Sequence, residues 1–144
     1  MKFWDTSALI PLLLEEPGTD LALAWIREDA DVVIWGLTRL EMAASIERAS
    51  RDGRISPAAR QAALGRADRI ATDASEVTDL AAVRVRAVPV LGRHALRASD
   101  AAQLGAALLV ADPDPRSLTM VVLDRRLADA ALREGLKVLS WPAR

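Results

Sequence analysis

The sequence predicts an α/β domain with three layers, α/β/α, built on a central and mainly parallel sheet. Short apolar or β-branched segments alternate with longer segments of helical periodicity, the order typical of parallel sheets covered by helices on both faces. The 144 residues suffice for one core, and 51% hydrophobic with 27% charged residues is a globular composition. Because no linker, repeat or low-complexity tract is visible, residues 1–144 are predicted to form a single domain.

The first half of the chain is predicted to contain two strands and four helices. The first strand ends at Asp5, and Ser7 is the expected N-cap of the next helix, in which Pro11 is tolerated only near the first turn. Gly53 is expected to end the third helix, and Ser56 to cap the fourth. In order, the segments are KFWDT, ALIPLLLEE, GTDLALAWIRED, DVVIW, LTRLEMAASIERASRDG and SPAARQAALGRADRIATD.

The second half is predicted to contain three extended segments and three helices. Pro89 is expected to bend or stop the first of these helices, and Gly135 to close the last. In order, the segments are the strand SEVT, the helices DLAAVRVRAVPVLGRH and SDAAQLGAALLVA, the loop DPDPRS, the strand LTMVVLD, the helix RRLADAALREG and the strand KVLSW.

Composition excludes several kinds of site. With no cysteine and one histidine, the chain has no disulfide, thiolate zinc site or histidine-rich metal site, which fits a reducing, cytoplasmic compartment. The net charge of −1 argues against a uniformly basic nucleic-acid binder. The apolar run ALIPLLL follows Asp5 and contains Pro11, which argues against a signal sequence, and no run approaches the roughly 20 residues of a membrane span.

Asp5 and Asp124 each follow a predicted buried strand. In open parallel sheets, ligands bind beyond the carboxyl ends of the strands, so both carboxylates are expected along one edge. The alternative interpretation is that each is only the N-cap of the next helix. A buried carboxylate needs solvent, hydrogen bonds or a cation, because desolvating it costs several kcal/mol.

Asp100 and Glu41 are acids on predicted helices. After Asp100 the helix contains no other charge and one polar side chain, Gln103, so Asp100 is a carboxylate on the first turn of a core helix. The alternative is a favourable contact with the helix dipole behind a Ser99 cap. Glu41 lies on a narrow polar strip, for which a solvated surface is the alternative. That strip consists of Thr38, Glu41, Ser45 and Arg48.

Four converging acids predict a particular chemistry. Without cysteine, and with a single histidine, a metal site here consists of oxygen ligands, which selects Mg²⁺ or Mn²⁺ over zinc. Several carboxylates held together without a cation repel one another. Mg²⁺ usually combines one or two carboxylates with phosphate oxygens, so such a cluster suits phosphoryl chemistry.

Four segments of the chain, taken in order and with their spacing, carry a resemblance to a known family. They are DTSALIPLLLEEPG, LTRLEMAASIERASRDGRIS, HALRASDAAQLGAALLVA and VVLDRRLADAALREGLKVLSWP. The chain resembles the PIN-domain nucleases, specifically the VapC-like ribonucleases that are toxins of type II toxin–antitoxin pairs. The family's acidic quartet falls on Asp5, Glu41, Asp100 and Asp124.

The resemblance implies a PIN-like fold and an endoribonuclease that uses Mg²⁺ or Mn²⁺ to hydrolyse a phosphodiester by in-line attack of water. By analogy, Asp5 and Asp100 ligate the ion, and Asp124 assists it or a second ion. Glu41 acts through water by orienting the nucleophile, and Thr6 supports the site by hydrogen bonding.

One position departs from the family pattern. Many relatives carry Ser or Thr two residues before the last acid, where this chain has Val122. The outer shell of the metal is therefore expected to be thinner beside Asp124, and Asp124→Asn is expected to cost less activity than Asp100→Asn.

RNA must bring phosphates to an acidic site, so nearby cations are expected. Arg39, Arg97 and Arg125 are the predicted RNA contacts, with solvated surface as the alternative for each. No aromatic platform for stacking bases is visible. The resemblance also implies a cognate antitoxin that blocks the site, and a homodimer. The apolar N-terminal helices, ALIPLLL and LALAWI, offer surface for either partner, with core packing as the alternative.

Rival functions fit the sequence less well. A haloacid-dehalogenase-like phosphatase needs a second acid where Ser7 stands, and a phosphoacceptor receiver domain needs paired early acids and a late lysine, whereas Lys137 lies in the last strand. His94 is expected at the surface or at a helix end, not as a general base. A catalytically silent PIN-like RNA-binding or scaffold protein stays open as the alternative.

Overall fold

The computed structural model describes residues 1–142 and contains five strands and seven α-helices in that range. A short 3₁₀ turn, Pro115–Ser117, precedes the fourth strand. In chain order the elements are β1 (Lys2–Trp4), α1 (Thr6–Leu13), α2 (Thr19–Glu28), β2 (Val32–Trp35), α3 (Thr38–Arg51), α4 (Pro57–Asp73), β3 (Ser75–Val77), α5 (Leu80–Arg93), α6 (Ala98–Val110), β4 (Thr119–Val121), α7 (Arg125–Arg133) and β5 (Lys137–Leu139).

The five strands form one parallel sheet in the order β3-β2-β1-β4-β5. Successive side chains along a strand point to opposite faces, so Phe3 enters one core and Trp4 the other. Helices α5, α6 and α7 cover the first face, and α1 to α4 cover the second. The predicted three-layer α/β/α fold is therefore confirmed.

Two helices contain proline beyond the first turn, whereas the sequence interpretation tolerated Pro11 only near the first turn and expected Pro89 to bend or stop its helix. Pro11 is the sixth residue of α1, and Pro89 lies inside α5, which continues to Arg93. Six of the eight residues of α1 are buried, and this packing outweighs the one missing hydrogen bond. In α5, Pro89 has no N–H to donate to the Val85 carbonyl. Val85 is 69% exposed, so water can replace the missing donor.

The helix ends are mostly those that the sequence predicts. Ser56 caps α4 by accepting from the Ala59 N–H at 3.1 Å, while Gly53 and Gly135 have φ values of 69° and 93° just beyond their helices. The Ser99 cap of the alternative interpretation is wrong, because α6 begins at Ala98, two residues earlier than that cap implies, and its N-cap is Arg97. Within residues 1–142, none of the helices combines the length and apolarity needed to cross a bilayer.

The packing of α6 against α5 positions the start of α6. A Cβ added at Gly105 would lie 2.9 Å from both the Ala87 Cβ and the Val83 carbonyl oxygen, so the glycine permits the close approach of the two helices. The first turn of α6 carries Asp100, whose charge acts on Asp5 at the end of β1.

Candidate active site

The candidate site lies at the carboxyl edge of the sheet, where the strand order reverses. From β1 the chain proceeds outward through β2 and β3 on one side, and β4 and β5 lie on the other. Asp5 directly follows β1, and its N–H donates to the Val121 carbonyl of β4 at 3.0 Å. Asp5 therefore lies between two diverging halves of the sheet, the position where open α/β sheets bind ligands.

Asp5 is a buried carboxylate, only 4% exposed. The pKa of Asp5 is raised from 3.8 to about 7, mainly by burial, and the nearby charges of Glu41 and Asp100 contribute to this rise. Two hydrogen bonds from Ser7 oppose this effect: the backbone N–H donates to Oδ2 at 2.9 Å, and the hydroxyl donates to the same oxygen. Asp5, and not Ser7 as predicted, is thus the N-cap of α1, and other acids also surround it.

Glu41 lies in the first turn of α3 and is half-buried. Its Oε1 accepts a hydrogen bond from the Gln103 amide at 3.0 Å. Burial is the main cause that raises the pKa of Glu41, the Gln103 and Thr6 hydrogen bonds oppose it, and the Asp100 charge adds to it. The polar strip on α3 therefore faces inward at Glu41 and is not simply a solvated surface.

Asp100 lies in the first turn of α6 and is also half-buried. Burial raises its pKa, and the negative charge of Asp124 raises it further. A backbone hydrogen bond from Arg97 and the positive charges of Arg97 and Arg126 act in the opposite direction. Asp100 therefore interacts with acids from both halves of the sheet edge.

Asp124 is the exposed member of the quartet and the N-cap of α7, since its Oδ1 accepts from the Leu127 N–H at 2.9 Å. Its loop is tied to the first acid through Ser7, whose Oγ accepts from the N–H groups of Leu123 and Asp124 at 2.9 and 3.0 Å. A hydroxyl from the first turn of α1 thus contacts the chain beside Asp124, although position 122 is a buried valine.

The four predicted acids therefore reach one region from four separate elements, and electrostatic interactions link Asp5 with Glu41 and Asp100, and Asp100 with Asp124. Arg97 and Arg126 are the arginines that offset the charge of Asp100. In residues 1–142, no three His, Cys, Asp or Glu side chains already surround a common point that would hold a metal ion. The donor chemistry, four carboxylates of which Asp5, Glu41 and Asp100 have raised pKa values, nevertheless fits a hard divalent cation such as Mg²⁺.

The predicted RNA-contacting arginines occupy different surroundings. The Arg39 guanidinium donates to the Ala71 carbonyl at 2.7 Å and lies 3.5 Å from Glu76, so it is engaged with α4 and β3. Arg125 lines a cleft of about 620 Å³ together with Trp25 and Trp141, whereas Arg97 faces Asp100. Of the three, Arg97 is the one whose positive charge lowers the pKa of Asp100.

His94 is the C-cap residue of α5, and its side chain is 9% exposed. Its Nε2 lies 2.7 Å from Oε1 of Glu134, which also pairs with Arg93. This agrees with the predicted place at a helix end and gives His94 a structural contact on α7.

Two residues of the site were not recognised from the sequence. Ser7 was interpreted as a helix cap, yet its hydroxyl bridges the loops that follow β1 and β4. Gln103 is 1% exposed, and its amide contacts three oxygen-bearing side chains. Those partners are Thr6, Thr38 and Glu41. The available signal was that Gln103 is the one polar side chain in an apolar helix.

Solved structures share this fold at low sequence identity. FitAcB from Neisseria gonorrhoeae is 16% identical, with a TM-score of 0.66 over 96% of each chain. VapBC2 from Rickettsia felis, bound to a DNA fragment from their promoter, is 11% identical, with a TM-score of 0.67 over 98% of each chain. PAE2754 from Pyrobaculum aerophilum is 22% identical, with a TM-score of 0.60 over 95% of this chain and 87% of that one.

Sequence comparison gives the family. No curated protein sequence matches this chain significantly. The family model described as the PIN domain matches residues 2–140, which include all four acids and every strand. The resemblance to PIN domains inferred from the sequence is therefore confirmed, and the chain belongs to the PIN domain family.

Proposed function

We propose that this chain is an endoribonuclease that depends on Mg²⁺ or Mn²⁺ and acts as the toxin of a type II toxin–antitoxin pair. The observation that carries the proposal is the convergence of four carboxylates, three of them with raised pKa values, at the switch point of the sheet. Such a cluster is unfavourable alone and becomes favourable when a divalent cation joins it. Membership of the PIN domain family, a family of nucleases, supports phosphodiester hydrolysis as the chemistry.

Each acid has a distinct role in this proposal. Asp5 and Asp100 hold the cation, and Asp124 assists at the exposed side. When bound, a divalent cation supplies Lewis-acid stabilisation of the phosphoryl oxygens and favours ionisation of water. Glu41 accepts a hydrogen bond from the attacking water and orients it in line with the leaving oxygen. Thr6 and Gln103 hydrogen-bond to Glu41 and keep it in place.

Positive charge for the RNA backbone lies beside the acids. Arg97 at the start of α6 and Arg126 on α7 are exposed and act on Asp100. We propose that these two arginines bind phosphates that flank the scissile bond. Arg125 lines the neighbouring cleft and can contact RNA phosphates further from the scissile bond. Arg39 would first have to break its hydrogen bond to the Ala71 carbonyl.

The proposed partners are a cognate antitoxin and a second copy of the chain, in the cytoplasm. The similarity to VapBC2, a structure bound to a DNA fragment from their promoter, supports the proposal of an antitoxin partner. The N-terminal helix α1 is mostly buried, so it does not offer the contact surface expected of it. Exposed apolar side chains lie instead on α3 and α5, with Leu40, Val85 and Val88 exposed by 60% or more.

The test is cleavage of end-labelled RNA, single-stranded and structured, by purified protein with Mg²⁺ or Mn²⁺ and with EDTA. Asp100→Asn, purified identically, is the control for a contaminating nuclease. We expect cleavage that needs the metal and is lost in the variant. Equal cleavage by both proteins would reject the proposal.

The alternative is a PIN domain that binds RNA without cutting it. This alternative predicts that the wild-type protein binds Mg²⁺ and RNA but gives no cleavage product with either the single-stranded or the structured RNA. The intact quartet favours the enzyme, since RNA binding alone does not require four clustered carboxylates.

A further inference from the structure

We propose that Gln103 is a positioning residue, which holds Glu41 so that its carboxylate can orient the attacking water. This inference rests on the proposed nuclease function and assigns to it a residue outside the acidic quartet. Gln103 lies one helical turn after Asp100, on the same helix, and connects α6 to the start of α3.

The burial of Gln103 is unfavourable for stability. Its side chain is 1% exposed within a helix whose other buried residues are apolar or glycine, and its Oε1 has no hydrogen-bond donor within residues 1–142. A methionine or leucine would fill the same volume without burying an unpaired amide oxygen. A residue that breaks the local pattern at such a cost is expected to have a functional role.

The donor side of the amide is fully used. Nε2 lies 3.0 Å from the Thr6 hydroxyl, 3.1 Å from the Thr38 hydroxyl and 3.0 Å from Oε1 of Glu41. Two N–H bonds thus face three oxygens, of which only the Glu41 oxygen carries a negative charge when ionised. The charge-assisted bond to Glu41 is the strongest of the three.

The carboxylate also selects the orientation of the amide. If the amide were reversed, Oε1 of Gln103 would face Oε1 of Glu41, and two acceptors would repel each other. With the observed orientation, Thr6 holds Glu41 from the start of α1 and Gln103 holds it from α6. Gln103 therefore acts on the reaction through Glu41, without contacting RNA itself.

The kinetic test compares Gln103→Met with Thr38→Val. Both remove one partner from the same buried cluster, but only the first removes a hydrogen bond to Glu41. We expect Gln103→Met to lower kcat for RNA about 10- to 100-fold with KM changed less than about threefold, and to lose at least about ten times more activity than Thr38→Val. Equal losses in the two variants would overturn the inference.

A double variant tests whether Gln103 acts through Glu41. If it does, Glu41→Gln combined with Gln103→Met has the kcat of Glu41→Gln alone within about twofold, because the second change removes an effect already lost. Losses that multiply would show that Gln103 acts elsewhere and would overturn the inference.

A measurement without substrate covers the case in which Gln103→Met does not fold. In ¹⁵N-labelled protein, the side-chain amide protons of Gln103 are expected to be protected from exchange and to move upfield in Glu41→Gln, since the charge-assisted bond is lost. Unchanged amide signals would overturn the inference. If the wild-type protein cuts no RNA, the proposed nuclease function fails and the catalytic role of Gln103 fails with it, whatever the spectrum shows.

Discussion

Replacing Asp5 by asparagine isolates the cost of a buried carboxylate at the switch point. Asparagine keeps an oxygen that can accept from Ser7, so the N-cap of α1 is retained while the ionisable group is removed. Asp79 offers a matched control, because it caps α5 by accepting from the Ala82 N–H at 2.9 Å but is exposed.

The magnitude follows from the pKa of Asp5, which is raised from 3.8 to about 7, mainly by burial. Between these two pH values the folded protein holds a proton that the unfolded chain has released, so the free energy of unfolding falls as pH rises through this window. The loss is complete above pH about 7 and amounts to at most about 4 kcal/mol. For a chain of this size, that corresponds to roughly 8 to 16 °C in Tm.

The assay is urea denaturation of metal-free protein at pH 4, 6 and 8, for wild type, Asp5→Asn and Asp79→Asn. Asparagine also adds a buried N–H donor. This changes the free energy of unfolding by the same amount at each pH, because the amide does not titrate. We expect the stability of Asp5→Asn relative to wild type to rise by up to about 4 kcal/mol from pH 4 to pH 8, and that of Asp79→Asn to stay nearly constant. A difference between Asp5→Asn and wild type that is the same at all three pH values would refute the reasoning.

Three further predictions concern activity and packing. Asp100→Asn is expected to reduce RNA cleavage roughly 100-fold and Asp124→Asn roughly tenfold, because Asp100 is half-buried among the acids and Asp124 is exposed; initial rates that are equal or reversed contradict this ranking. Ser7→Ala leaves two backbone amides after β4 without their acceptor and should cost about 1 to 3 kcal/mol in urea denaturation, whereas an unchanged midpoint would exclude the bridge. Gly105→Ala should cost about 1 to 3 kcal/mol because α5 blocks a Cβ, while Gly92→Ala, with open space around it, should be neutral or stabilising by up to about 1 kcal/mol; similar melting curves for both variants would contradict the packing.

The sheet and its layers could be predicted from the sequence because strand and helix patterns alternate without ambiguity. Buried strands such as β2 are continuous apolar runs, and Ser56 and Gly53 mark helix ends by local chemistry. Pro11 misled because tertiary packing decides whether a missing hydrogen bond is tolerated. Pro11 lies in a helix that is buried almost throughout, a fact that no local pattern contains.

The acids could be predicted as individual positions, whereas their contacts could not. The predicted strand ends indicated Asp5 and Asp124. The apolar residues that follow Asp100 indicated a carboxylate on the first turn of a core helix. The hydrogen bond of Ser7 to Leu123 joins residues 116 positions apart. Gln103 is 97 positions from Thr6 and 62 positions from Glu41. Such contacts depend on the three-dimensional arrangement of the strands and are invisible to sequence spacing.

The measurement that tests the central claim most directly is calorimetric titration of the wild-type protein with Mg²⁺ at pH 7 and pH 9, each in two buffers of different ionisation enthalpy. If a cation binds beside Asp5, whose pKa is about 7, binding at pH 7 should release about half a proton or more, and binding at pH 9 almost none. Asp5→Asn should bind more weakly and release fewer protons at pH 7. Mg²⁺ binding without proton release at pH 7, or no binding at either pH, would contradict a cation site built on the buried acid.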